Sequence, residues 1–91
     1  MDIKNMDTFL PTVAIRPGET IVENMEFLEM NISQLSKKLN IPDSHLIDVI
    51  ENKVLINNEL ALKLESVFGP SAKYWLNLET NYQLTKNRLD L

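Results

Sequence analysis

Few side chains in this 91-residue chain can carry out covalent chemistry. There is no cysteine, which excludes disulfides, thiolate metal sites and a cysteine nucleophile. A single histidine, His45, leaves little room for a zinc site or a Ser–His–acid arrangement. Glu19, Glu23 and Glu26 recur on one predicted helix, but no His or Cys cluster stands by to orient a reaction. With two glycines there is no Gly-rich phosphate loop either. No catalytic residue, cofactor, metal or small-molecule substrate is expected. The residue types that remain suit recognition. Between Asn31 and Lys53 stand Ser33, Lys37, Lys38, Asp43, Ser44, His45, Asp48, Asn52 and Lys53. Such side chains position a protein on phosphates or read base edges in the major groove. Ser44 and His45 are the best base-edge candidates, and Asp43 and Asp48 can accept from cytosine N4. The lysines, the Asn52 amide and Ser33 suit phosphates. The plainer alternative stays open for each: Ser33 and Ser44 as helix-start residues, the others as solvated surface.

These residues need helices to hold them, and the sequence supplies five. Pro17-Gly18-Glu19 opens the first, with Ile21, Val22, Met25 and Leu28 at helical spacing toward a core. Asn31 caps a second, with Gln34 as capping-box partner, and Ile32, Leu35 and Leu39 form its seam. Pro42 ends it near Asn40. A third is expected over about Asp43–Asn52, with Leu46, Val49 and Ile50 inward. Asn57 caps a fourth, whose Leu60, Ala61 and Leu64 repeat up to Phe68, before Gly69 and Pro70 stop it. Ser71 caps a fifth through Trp75, Leu76, Leu78 and Tyr82 to about Leu84. Residues 1–16 lack helical period and read as an extended N-terminal arm, packed, frayed or docked on a partner. The organisation expected is therefore an arm (1–16), an all-α domain (17–85) and a short C-terminal tail (86–91).

A chain of this size buries roughly 60–65% of its unfolded surface in one domain. Its 44% apolar share is too high for disorder. No apolar run approaches the ~20 residues of a membrane span. The start MDIKNMDTF lacks the basic end and apolar block of a signal peptide, so the cytoplasm is the expected compartment. The net charge of −4 is unusual for a nucleic-acid binder. Glu19, Glu23, Glu26 and Glu29 supply most of it, a stripe that is either solvated surface or a face for a basic protein partner. The segment from Asn31 to Asn57 sets three lysines against three acids.

Leu35, Ser36, Leu39, Asn40, Ile41, Leu46 and Val49 together have the spacing of a helix-turn-helix, which presents its second helix to the major groove. Arg16-Pro17-Gly18-Glu19, Ile56-Asn57-Asn58-Glu59-Leu60-Ala61-Leu62-Lys63-Leu64, and Phe68-Gly69-Pro70-Ser71-Ala72-Lys73-Tyr74-Trp75-Leu76-Asn77-Leu78 followed by Asn81-Tyr82 extend the pattern. With these stretches the chain, over about residues 15–84, resembles the Xre/Cro-type helix-turn-helix proteins of the VapI/HigA-like antitoxin family. It departs from them at Ile32, where relatives often carry Gln, at Ser36 for Ala and at Asn40 for Gly. The resemblance implies a lambda-repressor-like domain with its motif at 31–52 and a cytoplasmic homodimer. It also implies double-stranded operator DNA and a RelE-like toxin as partners. A stand-alone regulator, or an interaction module without DNA contact, is the alternative. Trp75, Leu78 and Tyr82 are the expected dimer-interface residues, with intradomain core as the competing role for Trp75 above all.

Overall fold

The computed structural model describes residues 16–89, so the expected arm lies, apart from Arg16, outside the described residues. Among these residues there are five helices and no strand: α1 (Pro17–Phe27), α2 (Ile32–Leu39), α3 (Asp43–Ile50), α4 (Asn58–Phe68) and α5 (Ala72–Leu89). None is long and apolar enough to cross a membrane.

Local chemistry sets each start. Pro17 begins α1, where its missing N–H would have had no helical partner anyway. Asn31 and Gln34 form the capping box of α2: Asn31 Oδ1 accepts from the Gln34 N–H at 2.8 Å, and Gln34 Oε1 from the Asn31 N–H at 2.8 Å. Asn57 Oδ1 caps α4 through the Leu60 N–H at 2.9 Å. Ser71 Oγ accepts from the Tyr74 N–H at 3.2 Å at the start of α5.

The ends share a device. α1, α2 and α3 each close on a left-handed residue that is not glycine: Glu29 (φ 56°), Asn40 (φ 57°) and Asn52 (φ 62°). The next N–H then reaches back into the helix, Met30 to Met25 O at 2.8 Å, Ile41 to Ser36 O at 3.0 Å and Lys53 to Asp48 O at 2.8 Å. This is the Schellman turn, which satisfies carbonyls the helix leaves over. It also shortens α3: Glu51 and Asn52, expected inside the helix, form its closing turn. Gly69, at φ 106°, performs the stop predicted for α4.

The core is built where the periodicity predicts it. Ile21, Leu35, Leu39, Leu46, Val49, Leu60, Ala61, Leu64 and Trp75 are buried together. α3 packs on α1 and α2, α2 on α4, and α5 on α4 and α1. Two expectations are corrected. Leu28, read as core, is 42% exposed, because it lies in the turn after α1 and not on its inner face. Helix α5 continues past Leu84 to Leu89, so residues 86–89 extend a helix in place of a tail. Within it Lys86 Nζ lies 5.9 Å from the ring centre of Tyr82, one turn earlier, a weak cation–π contact.

Two contacts fix α3 from behind. A Cβ on Gly18 would stand 1.9 Å from the Ile50 carbonyl oxygen, so only glycine lets α1 approach this closely. Beside it the Gly18 N–H points to Asn52 Oδ1 at 3.4 Å, a long and weak bond. From the other side, buried Glu79 of α5 accepts the Ile56 N–H at 3.0 Å through Oε1 and Gln83 Nε2 at 2.8 Å through Oε2. The loop that follows α3 is thereby tied to α5.

Candidate nucleic-acid interface

The α2–α3 connection is three residues, Asn40-Ile41-Pro42, of which Asn40 turns left-handed and Pro42 stands at the N-cap of α3. Helices of eight residues do not persist alone in water, so their geometry is imposed by packing. Leu35, Leu39, Leu46 and Val49 supply that packing, and half-buried Ile32 and Ile41 close its margins. Ile32, at the position where a polar side chain was noted as usual, therefore adds apolar contact to the seam.

A polar link crosses the same seam. Ser36 is 2% exposed at the helix crossing. Its Oγ lies 3.2 Å from the Ser33 carbonyl oxygen and within hydrogen-bond reach of Asp43 Oδ1. One hydroxyl carries one proton, and the charged acceptor is the stronger partner. Ser33 Oγ donates to the other carboxylate oxygen, Oδ2, at 3.3 Å. Two residues read as separate DNA contacts, Ser33 and Asp43, are thus bonded to each other.

The remaining predicted residues fall into three groups. Ser44 is exposed in the first turn of α3, while His45 and Asp48 are half-buried. His45 lines a small cleft of about 90 Å³ with Ile41, Asn57, Glu59, Leu60 and Lys63. Lys37 and Lys38 are exposed in the last turn of α2. Asn52 and Lys53 lie beyond the end of α3. There Lys53 Nζ pairs with Glu51 Oε1 at 3.1 Å, both side chains largely solvated. The hydrogen bond and charge of Glu51, aided by Asp48, hold the lysine's pKa above its usual value. A phosphate at Lys53 would have to compete with that carboxylate.

The predicted interface residues separate by burial. Trp75 is 0% exposed, tilted against Phe68 (ring centres 6.0 Å apart, planes at 40°) and meeting Tyr74 edge-on at 5.3 Å. It belongs to the core of the protomer and has no surface left for a second chain, which corrects that expectation. Among the described residues its Nε1 has no hydrogen-bond partner. Tyr82 is 9% exposed and Leu78 half-buried. The apolar surface of α5 lies instead at Tyr74 (42%) and Leu84 (56%). Sequence reasoning missed Gly18, Glu79 and the Asp43 link. A proline–glycine start was visible for Gly18, but nothing local signals the other two.

An all-α bundle whose second and third helices cross at a short left-handed turn, with the second of the pair opening on exposed polar side chains, is a helix-turn-helix domain. No family model matches the chain. Individual proteins do. An uncharacterized HTH-type transcriptional regulator of Escherichia coli K12, YddM, is 30% identical over 71 residues, covering 78% of this chain and 76% of that protein. Virulence-associated protein I of Dichelobacter nodosus is 32% identical over 72 residues, covering 78% and 67%. A HigA-family addiction module antidote protein from Coxiella burnetii superposes with a TM-score of 0.80 at 32% identity, over 85% of each chain. Pseudomonas aeruginosa antitoxin HigA, solved with the higBA promoter, shares the fold at a TM-score of 0.79 and 24% identity, over 86% of each chain. This chain belongs to the VapI- and HigA-like family of helix-turn-helix proteins.

Proposed function

We propose that this chain is a cytoplasmic antitoxin of a type II toxin–antitoxin pair. It acts as a homodimer that represses its own operon and neutralises a RelE-like toxin by binding it directly, with no chemistry performed. The observation that carries the reading is the α2–α3 pair, locked by Asn40 and Ser36, with Ser44 exposed at the head of α3. A HigA of the same fold was solved with the higBA promoter, which supports that use of the pair. Two copies of α3 would enter successive major grooves about one duplex turn apart. Ser44, His45 and Asp48 would face base edges, and Lys37, Lys38, Asn52 and Lys53 phosphates. The dimer surface would form on α5 from Leu78 with Tyr74 and Leu84, and Tyr82 at its margin.

Titration of the chain against its own promoter at low salt tests the regulator. Sequence-specific binding that disappears in Ser44→Ala plus His45→Ala supports it, and no binding by the wild-type chain refutes it. Light scattering tests the dimer, which a monomer at high micromolar concentration refutes. The neighbouring reading frame tests the toxin: a small basic RelE-like protein whose toxicity is relieved on co-expression is the expected finding. One observation favours a second reading, an interaction module without DNA contact. Lys53 is already paired with Glu51, and Asp48 lies among the groove-facing candidates. On that reading the toxin binds and the promoter does not.

A further inference from the structure

We propose that Asp43 is a positioning residue. Its carboxylate, held by the hydroxyls of Ser33 and Ser36, clamps α3 to α2 and is withdrawn from base contact. The proposal builds on the DNA-binding reading above and assigns the residue a role opposite to the one its place on the reading helix suggests.

Three observations converge on it. Ser36 is 2% exposed, and of the two acceptors within reach of its hydroxyl, the Ser33 carbonyl at 3.2 Å and the Asp43 carboxylate, the charged one is the stronger partner. Asp43 provides that partner from the first residue of α3, where the helix dipole also favours a carboxylate. Ser33 then occupies the second oxygen at 3.3 Å. The link bridges ten residues of chain and spans the three-residue turn between α2 and α3. Asp43 is exposed, yet a carboxylate that accepts from Ser36 and, through a longer bond, from Ser33 is poorly placed to turn toward cytosine N4. Base reading on α3 is then left to Ser44, His45 and Asp48.

The clamp makes a prediction whose sign differs from that of a bystander. Removing an unengaged carboxylate from a DNA-facing surface raises affinity, because it removes a repulsion of phosphates. Removing a clamp lowers specific affinity, because the reading helix loses its pose. The probe is a duplex selected from a random-sequence library by the wild-type chain, with poly(dI-dC) as non-specific competitor. Asp43→Ala is expected to lose about tenfold in specific affinity, the size of one charge-assisted hydrogen bond. The loss should be uniform across single-base variants of the duplex, with non-specific binding unchanged or slightly tighter. Asp43→Asn, which keeps an acceptor oxygen, should recover part of it. Ser36→Ala added to Asp43→Ala should cost nothing further. Helical content and light scattering establish that the variants fold and associate as the wild type does. Tighter binding by Asp43→Ala, or a preference relaxed at one base pair alone, overturns the clamp. If the wild-type chain selects no duplex, the DNA-binding reading fails, and the clamp is judged separately by a double-mutant cycle in urea. There Ser36 and Asp43 are expected to couple by about tenfold in the folding constant, and additivity overturns the proposal.

Discussion

Gly18→Ala adds one methyl group and should be among the most damaging substitutions of that size in the chain. The new Cβ would stand 1.9 Å from the Ile50 oxygen and 2.7 Å from its carbonyl carbon, both backbone atoms at the end of α3. Neither can rotate away. To restore an ordinary contact of about 3.5 Å, α1 and α3 must part by about 1.5 Å. That opens the seam between α1 and α3, which contribute Ile21, Leu46 and Val49 to the core, and weakens the Gly18 N–H to Asn52 bond. Overpacking of this kind costs about 1–3 kcal/mol, and the separated seam adds lost contacts. Alanine's better helix propensity returns up to about 1 kcal/mol, less in a first turn. A net loss of about 2 kcal/mol is expected, against a total near 4–11 kcal/mol for a domain of this length. The corresponding drop in Tm is about 8–16 °C. Urea unfolding followed by circular dichroism and by the fluorescence of the single, buried Trp75 measures it. Gly69→Ala is the control, since its φ of 106° strains any side chain while nothing lies within 4 Å of the added methyl group. Gly69→Ala should cost about 1 kcal/mol by strain alone. Should Gly18→Ala unfold at the wild-type urea concentration, or at a higher one, the close-approach argument is wrong.

Three other outcomes follow from single observations. Glu29→Gly should stabilise the fold by about 0.5–1 kcal/mol, because Glu29 holds φ 56° at the end of α1, and an unchanged urea midpoint would contradict this. Glu79→Ala should cost about 1–3 kcal/mol by leaving the Ile56 N–H without its acceptor, and in hydrogen exchange the loop after α3 should lose protection before the core does. Lys37→Ala with Lys38→Ala should lower the slope of log affinity against log salt by about 2 per protomer while leaving base preference intact, and an unchanged slope would remove both lysines from the interface.

The fold was legible because its determinants are local. Apolar periodicity located every helix, and Asn31, Asn57, Ser71 and Gly69 marked starts and stops through side-chain or backbone chemistry that acts within a turn. Errors arose where a distant partner decides. The end of α3 depends on Asn52 turning left-handed, which a Schellman bond and the contact with Gly18 reward. Trp75 carries the area of an interface residue, and only the meeting of α4 and α5 shows that a protomer covers it completely. The candidate site was legible in outline and not in wiring. Ser33, Ser36 and Asp43 were each visible, but a bond across ten residues of chain has no sequence period.

The net charge of −4 argues less strongly against DNA than its sign suggests, because of where it resides. Four glutamates, at 19, 23, 26 and 29, stand on and just after α1 with no base among them, and the other nine acids equal the nine bases in number. Glu19 and Glu23 border a depression over Ile50, at the C-terminal end of α3. Ser44 and His45 open the opposite end, six residues away, which is about 9 Å along a helix. At physiological ionic strength the screening length is about 8 Å, so the stripe's repulsion is largely spent before it reaches the reading turn. At about 0.01 M salt the screening length grows to about 30 Å, and the same stripe opposes every phosphate contact. Affinity should therefore rise less steeply below about 0.05 M salt than the lysine contacts alone would give. Replacing Glu19 and Glu23 with glutamine should restore the straight line, and curvature that survives the replacement would place the repulsion in Asp48 and Glu51 on the motif itself.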